Sequence, residues 1–188
     1  MIQVRDLVLV IIKTTMRNDP VKKTLLMTVM FTVSMNTLAT DFNGTWQLQN
    51  ADNTQAKLDE AVESVAKEMN FFIRALARPA LKKQTQICHQ WLLQSQEDQF
   101  QWQCDTDEAM VISMAAKGSF LKKDEEGVEI SGTFQRTKDS IVTILQSERG
   151  TRTNTWKMVD SNELLYSVKL ESEKLPKPMT WKLNYKRN

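Results

Sequence analysis

Few side chains in this sequence carry the chemistry of a reaction centre. The chain has one histidine, His89, set in Cys88-His89-Gln90-Trp91, and one further cysteine, Cys104. A zinc site of the usual kind draws three or four ligands from His, Cys and carboxylates, so Cys88, His89 and Cys104 would make a set only with both thiols reduced. No G-x-S-x-G elbow is present, nor a Cys–His pair in a nucleophile's context. The carboxylate runs Asp105-Thr106-Asp107-Glu108 and Asp124-Glu125-Glu126 fall where turns are expected, and a charge run there is a solvated loop rather than an acid–base pair. The five glycines form no phosphate-cradling loop. The expectation is a protein with no catalytic residue, no metal site and no cofactor. An enzyme acting on a lipid-like substrate stays open only because catalytic pairs can be assembled across a fold.

The chemistry that the cysteines do offer depends on compartment. Lys22 and Lys23 precede an apolar run from Thr24 to Val33, and the small residues Thr37 and Ala39 follow two apart. That is the basic region, apolar core and cleavage site of a secretory signal. The run is about half of the ~20 residues a membrane-crossing helix needs, so removal after Ala39 is expected rather than a permanent anchor. A second apolar run, Leu7 to Ile12, lies upstream of Met16. Starting at Met16 would give a signal of ordinary length, and the rival is an extended signal or hairpin anchor. No cysteine stands near the cleavage site, which argues against a lipoprotein. The expected division is 1–39 as extension and signal and 40–188 as one domain, exported, in a bacterial periplasm. Residues 1–39 hold five of the 25 basic and two of the 23 acidic residues, which leaves the remainder near −1. Without a basic stripe nucleic-acid binding has no support.

The elements that would position any site follow from periodicity. Residues 41–48 alternate Phe42, Trp46 and Leu48 with polar partners, as a strand does. Leu58, Ala61, Val62, Val65, Met69, Phe72, Ile73 and Leu76 then recur at three- and four-residue steps. This predicts helix from about Thr54 to Arg78, with a possible break near Asn70, an N-cap at Asp52 or Thr54, and Pro79 as the stop. From Gln84 onward the period is two. Turn-like clusters at 95–98, 123–127, 137–139, 148–150, 160–162 and 173–178 delimit about nine strands. A meander of that size relieves its edges by closing. The expected fold is mainly β: an antiparallel barrel of about ten strands with a helical segment after the first, wide enough for a cavity or an open gap. In an oxidising compartment Cys88 and Cys104 are expected to pair across the hairpin between them, with Phe100 against Leu92. A slip of one residue would oppose Trp91 to Trp102, and periodicity leaves the choice open.

Phe42-Asn43-Gly44-Thr45-Trp46 resembles the F-x-G-x-W opening of the calycins, the superfamily of lipocalins and fatty-acid-binding proteins. In the fatty-acid-binding branch the first strand leads into a helical lid and nine further strands complete a ten-stranded clam. The resemblance implies structural roles for Gly44 and Trp46, the latter plugging the closed end. The end of the chain, Lys182 to Arg187, is similar to that branch's last strand, whose R-x-Y grips a ligand carboxylate. Here Tyr185 takes the tyrosine position and Leu183 the arginine position, so that clamp is not intact. Lys157 falls near the strand where the family often places a second basic residue.

The leading expectation is a carrier or sensor for a small apolar or amphipathic ligand inside the barrel. Phe72, Ile73 and Leu76 would form the underside of the lid, with Lys157, Tyr166 and Tyr185 as polar handles. Gln90, Thr143 and Thr155 would be costly in a dry core if they turn inward. The alternative is a protein-interaction module, an inhibitor or envelope accessory factor, with a filled core and no small ligand. A monomer is expected, with membrane contact only through the signal.

Overall fold

The computed structural model describes residues 41–113, 119–124 and 126–188. The expected signal over residues 1–39 lies outside them. Ten strands are present: β1 Gly44–Leu48, β2 Gln90–Ser95, β3 Gln99–Cys104, β4 Met110–Ser113, β5 Ser119–Lys123, β6 Glu129–Arg136, β7 Ser140–Ser147, β8 Gly150–Met158, β9 Glu163–Glu171 and β10 Met179–Arg187. They form one antiparallel sheet in the order β4-β3-β2-β1-β10-β9-β8-β7-β6-β5. The turn clusters read from the sequence fall at its connections.

The sheet is curled into a half-barrel, and distances prove the curl. Phe100 on β3 and Phe134 on β6 have ring centroids 6.2 Å apart, although seven strand steps separate them in the sheet order. At ~4.8 Å per strand a flat sheet would hold them more than ~30 Å apart. Among the described residues no ladder joins β4 to β5. Among the described residues the hydrophobic core runs from Phe42 to Tyr185, within one compact unit.

Two helices follow β1: α1, Ala51–Ala66, and α2, Phe71–Gln84. The break near Asn70 has a local cause. The Asn70 side chain caps α2 by accepting from the Ile73 amide at 3.0 Å. Arg74 then reaches back and donates to the Ala66, Lys67 and Met69 carbonyls, satisfying the acceptors orphaned at the end of α1. Pro79 does not stop the helix, contrary to the sequence expectation. It is exposed, so the carbonyl it orphans can be hydrated, and the helix runs on to Gln84. The helices share the work unequally. Leu58, Ala61, Val62, Val65 and Ala66 of α1 are buried, whereas Leu81 is the one buried residue of α2. Bidentate Arg78–Glu63 hydrogen bonds at 2.8 and 2.7 Å and a Lys82–Asp59 ion pair at 3.2 Å hold α2 against α1.

The β2–β3 register differs from both sequence alternatives. Trp91 faces Cys104, Leu93 faces Trp102 and Ser95 faces Phe100. Gln96 N donates to Gln99 O at 2.8 Å, so the hairpin turns about one and a half residues later than the cysteine midpoint. The Cys88–Cys104 disulfide nevertheless forms, because Cys88 lies before β2, off the ladder, and reaches across to the end of β3. Asp105 holds the same junction, its carboxylate accepting from the His89 and Gln90 amides at 3.2 and 2.8 Å.

The other end is closed by the last residues of the chain. Arg187 donates to the Asn43, Asp41 and Ser161 carbonyls at 2.6, 2.5 and 3.1 Å and lies 4.4 Å from the Trp46 ring. Trp46 is fully buried and donates to Phe42 O at 3.0 Å. Gly44 has φ 124° and its Cα side faces the Arg187 guanidinium, so any Cβ would be both strained and crowded.

Candidate functional site

Alternation sends one face of the described strands inward, and aromatic rings cluster at one level of it. Trp156 of β8 has ring centroids 5.1 to 5.8 Å from Trp91, Phe100, Trp102 and Tyr166. At this level rings from β2, β3, β8 and β9 fill the interior. The next residues inward along β8 toward its start are polar: Asn154, then Arg152. Their side chains converge with two neighbours. Arg152 Nε and Tyr166 Oη both donate to Asn154 Oδ1 at 2.9 Å, and Asn154 Nδ2 donates to Thr143 Oγ1 at 3.1 Å. Arg152 also donates to Tyr166 Oη at 3.4 Å and to the Gln84 carbonyl at the end of α2 at 3.2 Å. Its guanidinium carbon stands 5.6 Å from the Trp181 ring.

Asn154, Thr143 and Tyr166 are buried and Arg152 is half-buried. Among the described residues no carboxylate stands within ion-pair distance of Arg152. Three of the five guanidinium N–H groups are used, which leaves two donors. On the ladders Arg152 faces Leu145 on one side and Leu170 on the other, both packed at the margin of the core. The residues just before it, Gly150 and Thr151, help to line a groove of about 810 Å³ between the β7–β8 turn and the β9–β10 loop. An uncompensated cation fixed by a buried amide and a phenol, with apolar flanks, is an arrangement that accepts an anionic or strongly hydrogen-bond-accepting group.

The residues singled out from the sequence are dispersed. Tyr166 belongs to the polar cluster, and the Tyr185 ring lies 6.3 Å from it. The Tyr185 hydroxyl is spent on the Cys88 carbonyl, to which it donates at 2.7 Å. Lys157 is exposed and faces Asp139 at 3.7 Å on the outer surface. Phe72, Ile73 and Leu76 do not form the underside of a lid: they are 80, 51 and 81% exposed. The physical reason is that α1 takes the place against the sheet, and α2 contributes only Leu81 to the core, with Ala77 at its margin. Of the polar strand residues, Thr143 turns inward, Gln90 is exposed, and Thr155 sits on the face opposite to Asn154 and Trp156. Arg152 and Asn154 were missed. Their signal was phase: Arg152, Asn154, Trp156 and Met158 share one face of β8, so two polar residues lie in register with two buried apolar ones.

Burial, then the neighbouring Tyr166, raises the Tyr185 phenol well above the ordinary tyrosine range. A proton held more tightly in the folded chain stabilises it fully below about pH 10, where the unfolded phenol titrates, and that stability is lost as pH rises further. In a Tyr166→Phe protein Tyr185 is the one remaining tyrosine. Spectrophotometric titration is expected to show no tyrosinate until the far-UV signal collapses. A phenolate forming near pH 10 in the folded protein would contradict the buried hydroxyl.

No family model matches the sequence, and the search of curated proteins found no match. Solved structures do. The chain is similar to a secretory abundant heat soluble protein of Ramazzottius varieornatus, with 14% identity, a TM-score of 0.50, and coverage of 78% of this chain and 95% of that one. It is also similar to human cRBP IV at 15% identity and a TM-score of 0.42, covering 79% of this chain and 98% of that one. The first likeness is one of fold: a curled antiparallel half-barrel with two helices after its first strand.

Proposed function

We propose that this protein is an exported binding protein that holds a small amphipathic molecule at the helix-capped end of its barrel, with the polar or anionic end of the ligand on Arg152. The observation that carries this reading is the half-buried Arg152 guanidinium, oriented by Asn154 and Tyr166 and lacking a carboxylate partner among the described residues. Leu145 and Leu170 would receive the apolar part. The ligand sits at this level rather than deeper because the rings around Trp156 occupy the interior below it. Export, to a bacterial periplasm, is supported by the basic–apolar–small pattern before residue 40 and by the disulfide, which persists in oxidising compartments.

The test is native mass spectrometry of residues 40–188 recovered from the periplasm, with organic extraction, followed by titration with a fluorescent long-chain carboxylate. A charge-assisted hydrogen bond contributes roughly 1.5–3 kcal/mol, so Arg152→Gln is expected to weaken carboxylate binding by about 10- to 100-fold. A long-chain alcohol should be affected far less. A clean apo mass together with no carboxylate binding would move the assignment to a protein-interaction module, which the ring-filled interior favours.

A further inference from the structure

Six large apolar side chains are strongly exposed among the described residues, and four of them fall within six positions: Phe71, Phe72, Ile73 and Leu76, at 76, 80, 51 and 81%. At about 200 Å² per aromatic side chain and slightly less for Ile and Leu, they present roughly 500 Å², the upper part of the range for the largest patch on a monomer. At ~100° per residue these positions spread over about 200° of the helix circumference, so they form a knob at the start of α2 rather than one flat face. The Phe71 and Phe72 rings meet edge to face at 5.7 Å, both largely open to solvent. A flat self-complementary interface needs roughly 800 Å² per partner, more than this knob offers. A knob exposed on several sides is suited to a medium that can close around it.

The charges nearby choose the medium. Over Phe71–Gln84 the chain carries Arg74, Arg78, Lys82 and Lys83 and no acidic residue. Arg78 and Lys82 are neutralised by Glu63 and Asp59 of α1. Arg74 spends its donors on backbone carbonyls, whereas Lys67 and Lys83 stand in no ion pair among the described residues. An apolar aromatic tip with a surplus of cations beside it is the composition that enters the headgroup region of an anionic bilayer. We infer that α2 docks the protein on an anionic lipid surface, Phe71, Phe72, Ile73 and Leu76 entering the interface while Lys67 and Lys83 face the headgroups. This docking stands apart from the ligand site, since none of its residues belongs to the Arg152 cluster.

Flotation of residues 40–188 with phosphatidylglycerol–phosphatidylcholine vesicles tests it. Binding is expected to the mixed vesicles, to be weaker on pure phosphatidylcholine, and to fall in 0.5 M salt as screening shortens. The Phe72→Ser/Leu76→Ser protein is expected to lose about tenfold or more of its partitioning while keeping the wild-type far-UV spectrum and melting temperature, because neither side chain is packed. Arg152→Gln should bind vesicles as the wild type does, which separates this result from the fate of the ligand reading. Failure of the wild type to float with anionic vesicles would overturn the inference. So would a concentration-dependent dimer in sedimentation that the double substitution abolishes, since the knob would then belong to a second copy of the chain.

Discussion

Replacing Trp156 by alanine is expected to lower folding stability by about 3–5 kcal/mol, the usual cost of emptying a large buried aromatic site. For a domain of this size that corresponds to a fall in Tm of roughly 10–15 °C. The reasoning starts from geometry. Trp156 is fully buried and, among the described residues, is the one ring touching aromatic side chains from β2, β3 and β9 at once. Strands that are distant in the sheet order therefore meet through this side chain, and its removal weakens the curl as well as the local packing. Trp156→Phe should recover more than half of the loss. The smaller ring still fills most of the site, and the indole N–H, which has no acceptor among the described residues, is removed with its desolvation cost of about 1–3 kcal/mol. Differential scanning calorimetry of the two variants checks both statements. A Trp156→Ala protein melting within 2 °C of wild type would mean that the rings do not form a packed core.

The second large effect is expected from the disulfide. Cys88 and Cys104 close a loop with a sequence separation of 16, for which the chain-entropy estimate is about 3 kcal/mol. Reduction, or Cys104→Ser, should lower Tm by roughly 6–12 °C. The loss should concentrate where the end of α2 passes into β2, with early hydrogen exchange at His89 and Gln90. Asp105 accepts from both of those amides and Tyr185 donates to the Cys88 carbonyl, so the junction is expected to loosen rather than unfold separately. A thiol titration of the native protein should find no free sulfhydryl. Two titratable thiols, or a Tm indifferent to reductant, would show that the pair is not closed.

The ring cluster and the disulfide differ in how far they could be read in advance. The number of strands and their connections were legible, because alternation and turn residues are local properties of the chain. The pairing of the cysteines was legible for the same reason, since a hairpin brings its two arms together whatever the distant sheet does. Their register was not: the exact turn residue sets it, and Gln96 to Gln99 closes the turn beyond the midpoint of the cysteines. The buried face of α1 was legible in the spacing of Leu58, Ala61, Val62 and Val65.

Periodicity identifies a face but not the surface that it will meet. Phe72, Ile73 and Leu76 continue the apolar pattern of α1, yet two helices compete for one opening of the barrel and the chain breaks at Asn70, so α2 is left outside with its apolar start exposed. Arg152 and Asn154 are the converse case. Residue type alone assigns them to the surface, and only the curl of the sheet, bringing Tyr166, Thr143 and the end of α2 to them, supplies the hydrogen bonds that make their inward position stable. The sequence by itself thus determined the strands, the helical stretch and the cysteine pair through short-range rules. The tertiary structure alone decided the ring-filled interior, the polar cluster at Arg152 and the exposed knob of α2, because burial depends on which elements occupy the shared surface.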